Sequence, residues 1–231
     1  IKIVSGQGTE ENPYHLEGDN DSNLSGTKLN TRYSGEYVNF GIEENNLYRI
    51  VSHETEGLTK ITSAEPLKEN RSFKSITFGS SSYSSTNTIG TFLNNEYLTN
   101  YIENSYDKMI EKINTWYLGI IGKGTSYKLA KYIDTNMSDY APNTEAKIGM
   151  LRLGELMAGQ FNKNSNNAYY WLLTPFNTYN VTNVTNVGDI GDNTPGIIMR
   201  GIKPALNLKS NVIITSGDGT KENPFEIALS E

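Results

Sequence analysis

The sequence predicts an α+β domain, with short strands towards both ends, a helical middle and long polar loops. Three observations lead there. The run Tyr169-Tyr170-Trp171-Leu172-Leu173, stopped by Pro175, and the alternating Leu206-Asn207-Leu208-Lys209 read as strands in the last third. Residues 88–106 carry the clearest amphipathic helix, with Phe92, Leu93, Tyr97, Leu98, Tyr101 and Ile102 at helical spacing. The regular strand–helix alternation of a doubly wound sheet is missing from the 231 residues.

Taken in order, residues 1–5 read as a strand, followed by a Gly-rich turn and an extended Pro13-Tyr14-His15-Leu16. Residues 18–23 are a loop. Tyr37, Asn39 and Gly41 alternate with Val38, Phe40 and Ile42, the period of a strand with one buried face, and with 47–52 and 58–64 they predict a three-stranded meander. Residues 71–87 are polar and Ser-rich and are expected to wrap the surface, anchored by Phe73, Ile76, Phe78 and Tyr83. After the long helix come a short helix at 106–113, a buried strand at 116–121, a helical turn at 127–133, a strand at 145–151 and a helix at 153–160 with Leu156 and Met157 inward. Val181, Val184 and Val187 alternate with Thr and Asn as a hairpin leading into a Gly- and Asp-rich loop, and 197–199 is a short strand.

One segment occurs twice. Ile3-Val4-Ser5-Gly6-Gln7-Gly8-Thr9-Glu10-Glu11-Asn12-Pro13-Tyr14 returns 211 residues later as Ile214-Thr215-Ser216-Gly217-Asp218-Gly219-Thr220-Lys221-Glu222-Asn223-Pro224-Phe225. Residues 1–18 are therefore read as a connector, the tail of a preceding unit, and 19–231 as a single α+β surface domain ending in a second connector copy. The alternative is that the two copies pair as neighbouring strands.

Composition narrows the function. The formal charge is −6, with Lys and Arg scattered, which disfavours nucleic acid, since phosphate binding needs clustered cations. No apolar run approaches the length of a bilayer span. The strand-like opening suggests a processed piece with any leader upstream. Cysteine is absent, which removes disulfides, thiolate metal sites and cysteine nucleophiles and suits export from a cell that makes few disulfides. The two histidines, His15 and His53, read as surface residues, and no Gly-x-Ser-x-Gly elbow is present. Calcium is the cofactor the pattern admits: Asp19, Asp21 and Asn23 alternate as oxygen ligands do, and Asp189 and Asp192 with Asn193 offer a second set, though Asx turns account for both. Fifteen tyrosines against seven phenylalanines and two tryptophans give stiff contact area with polar tips. Tyr83, Tyr140 and Tyr179, each in a loop-like segment, and Asn193 are the candidate ligand-binding residues.

Tyr169 to Leu173, Gly201 to Lys209 and the closing segment to Phe225 resemble a family of secreted bacterial domains of unknown function. Asn87-Thr88-Ile89-Gly90-Thr91-Phe92-Leu93-Asn94 looks like that family's helix start, and Ala146 to Leu151 with Glu155-Leu156 like its mid-domain strand and helix. The family is similar in turn to the fold of C-type lectins and formylglycine-generating enzymes, which implies a mixed domain with a ligand surface on long loops and no activity. The oxidase chemistry of those enzymes needs a copper-binding Cys pair, and a related iron branch needs three His ligands; this chain has neither. The resulting expectation is a non-enzymatic extracellular module, adhesin-like or pilus-associated, of a Gram-positive-type protein, whose partners are a host or cell-surface protein, a glycan or filament subunits. The alternatives are a carbohydrate-active enzyme using loop carboxylates and a structural stalk or filament unit.

Overall fold

The computed structural model describes residues 2–17, 23–119, 143–159 and 168–230. The fold is α+β, with many short strands and few helices. Two five-stranded sheets carry it. Sheet I runs in the order Ile148–Met150, Pro204–Leu208, Thr59–Ser63, Leu47–His53, Tyr37–Asn39, antiparallel throughout. Sheet II runs Ile190–Asn193, Val181–Val184, Tyr170–Pro175, Met199–Gly201, Ser75–Thr77, and its one parallel contact is Tyr170 with Gly201. The predicted meander forms the far side of sheet I. The Tyr170–Pro175 strand is buried along its whole length, as a continuous apolar run requires.

Several expectations are corrected. The segment 71–87 does not merely wrap the surface: Ser75–Thr77 is an edge of sheet II, Trp171 Nε1 donates to the Ile76 carbonyl at 2.9 Å, and Phe78 is buried edge-on against Trp171. Its serines mislead because this strand uses main-chain bonds and needs few apolar side chains. The alternation at Leu206 to Lys209 suggests one wet face, yet all five residues of Pro204–Leu208 are buried, because sheet I is covered on both sides. Leu156 points inward as expected, but its neighbour Met157 is exposed. The helix at 106–113 is only the turn Asn104–Asp107. The reading at 127–133 lies outside the described residues. The two connector copies do not pair with each other; each closes its own hairpin, Lys2–Ser5 with His15–Glu17 and Val212–Ser216 with Glu226–Leu229.

The long helix contains a π-helical turn. Asn87 caps it by accepting from Gly90 N, Thr88–Thr91 and Tyr97–Asn100 are α-helical, and Phe92–Glu96 between them is wound wider. At that turn sits Asn94. Its Oδ1 accepts from Lys147 N at 3.1 Å and Ile148 N at 3.0 Å, while its Nδ2 donates to Gly90 O, Ile148 O and the Tyr83 hydroxyl. The side-chain amide thus behaves as a one-residue strand that seals the Ile148–Met150 edge of sheet I. Tyr97 on the same helix meets Tyr48 of sheet I, hydroxyl to hydroxyl at 2.6 Å, and burial pushes both phenols up.

Lys203 is the strongest departure from a plain core. It is buried, donates to the Ala64 carbonyl at 3.1 Å and lies over the Tyr170 ring. Burial, helped by the Arg49 charge, brings its pKa down to about 7.

Two predictions follow from this architecture. Asn94→Ala leaves the amides of Lys147 and Ile148, at the start of the edge strand, without an acceptor and is expected to cost about 2 kcal/mol in urea denaturation, at unchanged secondary structure. From pH 7 to 10 the unfolded chain holds the Lys203 proton and the folded chain does not, so stability rises with pH across that window. Above it the buried Tyr48 and Tyr97 reverse the slope, since the unfolded phenols ionise first. Lys203→Met removes the rise between pH 7 and 10 and leaves the later fall, read by thermal melts in matched buffers.

Candidate functional site

Three neighbouring strands of sheet I place one polar residue each in a row. The register pairs Ser52 with Lys60 and Lys60 with Asn207. Over this row lie Trp116 and Tyr117 from the Asn114–Tyr117 strand and Arg152 and Glu155 from the start of helix Leu153–Gly159. Together with Glu54 and Thr115 they line a cleft of about 250 Å³. Trp116 is fixed by donating Nε1 to the Ala146 carbonyl and by lying on Gly149, where an added Cβ would stand 2.6 Å from the ring.

Lys60 is the electrostatic centre. Its Nζ stands 2.8 Å from Glu155 and 3.1 Å from Glu54 and lies over the Trp116 ring. Burial pulls its pKa down, but the two carboxylates outweigh burial and hold it above the usual lysine value. Burial likewise pushes Glu54 up, yet Lys60, with a hydrogen bond from the Ser52 hydroxyl at 2.6 Å, leaves it below its usual range. Glu155 also accepts from Arg152 N, closing the first turn of its helix.

Two groups lining the cleft are unsatisfied. Arg152 Nε and Nη1 are buried without a hydrogen-bond partner, the nearest carboxylate oxygen being 3.9 Å away at Glu155. Asn207, 7% exposed, donates to Asn114 Oδ1 at 2.8 Å, while its own Oδ1 has no partner. A buried donor pair and a buried acceptor left open beside an indole form an incomplete hydrogen-bonding set. The cleft therefore offers N–H donors, amide and carboxylate acceptors and aromatic surface within one small volume, with its formal charges balanced.

Among the described residues, none of those predicted for ligand binding lies here. Tyr83 is corrected outright: it is 2% exposed, and its hydroxyl donates to the Ile148 carbonyl, so it anchors the core rather than meeting a ligand. Tyr179 is exposed at a turn whose amides bond Asn177. Asn193 sits on sheet II, its Oδ1 accepting from Asn183 Nδ2 and Arg200 Nε, both at 3.0 Å, with Arg200 stacked on Tyr169. That cation takes the oxygen a calcium ion would need. Asp192 accepts from Asn180 at 2.5 Å and, as the strand neighbour of Asn193, points to the opposite face, so Asp189, Asp192 and Asn193 do not converge. Asn23 Oδ1 caps Ser25 N in an Asx turn. Tyr140, Asp19 and Asp21 lie outside the described residues. Among the described residues, no group of three His, Cys, Asp or Glu is placed to hold a metal ion, and no helix is long and apolar enough to cross a membrane.

Sequence signals for the cleft existed. A lysine inside the strand 58–64, an asparagine in the alternating closing strand and Arg152 three residues before Glu155 are polar positions set among apolar ones. Only the fold shows that they meet. No protein-family model matches the chain, and no curated protein or solved structure is significantly similar to it.

Lys60→Met leaves two carboxylates facing each other in a largely buried site. The expected cost is about 3 kcal/mol at pH 7, measured by chemical denaturation, and a further Glu155→Gln recovers part of it.

Proposed function

We propose that the chain is a non-enzymatic binding module of an extracellular bacterial surface protein, built on a C-type-lectin-like scaffold, and that the Lys60 cleft takes a polyhydroxylated ligand such as a glycan. The observation that carries this reading is the set of buried polar atoms without a hydrogen-bond partner, Arg152 Nε and Nη1 and Asn207 Oδ1, on residues that line the cleft beside Trp116. A sugar supplies hydroxyls that both donate and accept, and an apolar face for the indole. The surface placement rests on the absence of cysteine, the acidic charge and the resemblance to secreted domains.

The carbohydrate-active alternative gains two carboxylates in one cleft, Glu54 and Glu155. Lys60 bridges them, however, and Glu54 is held below the usual range, whereas a general acid needs its pKa raised. Binding without turnover is the better use of this geometry.

Trp116 reports on the cleft, and the only other tryptophan, Trp171, is sealed in the core. Titration with a panel of neutral and acidic oligosaccharides is expected to change the tryptophan emission, and Arg152→Gln to weaken the binding by about tenfold while the fold is retained. A silent emission signal with every sugar, together with an empty glycan array, removes the ligand reading; release of reducing ends removes the non-enzymatic one.

A further inference from the structure

The two connector copies are the same object in two environments. Gly6 and Gly217 adopt φ of +94° and +89°, and Gly8 and Gly219 +75° and +79°, conformations that L side chains rarely adopt. In both hairpins the register slips at the same place, between Ile3 and Ser5 and between Ile214 and Ser216. The turns share their bonds. Gln7 N and Gly8 N donate to Asn12 O, as Asp218 N and Gly219 N donate to Asn223 O, and each asparagine N donates to a threonine Oγ1 at 3.1 Å.

What differs is the cover. The C-terminal hairpin is docked. Tyr37 N donates to Gly219 O, Phe225 N to Tyr37 O and Asn39 N to Phe225 O, so that Phe225 adds to the outer edge of sheet I beside Val38. On its other strand Gly26 N donates to Ile214 O and Ile214 N to Thr27 O. Phe225 and Ile214 are completely buried, with Arg32 over the Phe225 ring. In the N-terminal hairpin no hydrogen bond joins residues 2–17 to the rest of the described residues, and the equivalent Tyr14 and Ile3 are 53% and 57% exposed. The same turn, with two positive-φ glycines in each copy and apolar residues kept at the same two positions, is docked in one copy and, among the described residues, left uncovered in the other.

We infer that residues 2–17 dock onto another domain of this same fold, in a cradle equivalent to Gly26–Lys28 and Tyr37–Asn39, with Tyr14 taking the place of Phe225 and Ile3 that of Ile214. The cradle within this chain is filled by its own second hairpin, so the contact joins successive domains rather than closing a symmetric dimer. Such domains are tied by main-chain hydrogen bonds as well as by the covalent chain.

Two experiments test it. In the first, residues 212–228 are replaced by the sequence of residues 1–17. This chimera is expected to unfold cooperatively within about 5 °C of the parent, and Tyr14→Ala within the transplanted copy to lower the midpoint by about 10 °C. Loss of cooperative unfolding in the chimera overturns the proposal. In the second, residues 1–211 are joined directly to residues 1–231, so that the central hairpin follows the first unit as residues 212–228 do in the native chain. Exchange of its Tyr14 amide is expected to slow by about 100-fold relative to the single chain. Exchange as fast as in the single chain overturns it.

Discussion

The centre of sheet I is covered on both faces, and much of the fold follows from that constraint. Pro204–Leu208 and Thr59–Ser63 are buried at every position, so a polar side chain placed there has no water to turn to and must be met by protein. Thr62 donates its hydroxyl to the Pro204 carbonyl, Lys203 donates to Ala64, and Lys60 draws Glu155 from 95 residues away. The last of these ties the helix Leu153–Gly159 to the sheet by charge as well as by Leu153 and Leu156. Asn94 solves the same problem at the edge, where a single side chain supplies what a sixth strand would have supplied.

Satisfaction is incomplete at the cleft, in Asn207 and Arg152, and also at Ser63 Oγ and Asn39 Oδ1 elsewhere on sheet I. Within the cleft Lys60 pairs with both carboxylates, which also accept from the Ser52 hydroxyl and from Arg152 N, so proton transfer from any of the three breaks a buried pair.

Much of the secondary structure is legible because it rests on local pattern: the meander from alternation at 37–42, the Tyr170–Pro175 strand from its apolar run and the paired Gly-rich turns; the valine strand pairs instead with Ile190–Asn193, where the Gly- and Asp-rich pattern reads as loop. What misled was burial imposed from a distance. Tyr83 sits in a serine-rich loop and reads as surface, yet the helix and the edge strand close over it. Asn207 looks like the wet position of a half-buried strand, yet it is buried because other layers cover it. The cleft draws its lining from five separate stretches of chain, a juxtaposition that periodicity does not encode.

The docking of Phe225 against Tyr37–Asn39 has a consequence for biosynthesis. Among the described strands, that edge is covered by a segment nearly 190 residues further along, as the Asn39–Glu226 bond spans 187. A ribosome delivers the meander well before its cover. Until residues 212–229 emerge, the nascent chain carries an open strand edge able to recruit other chains.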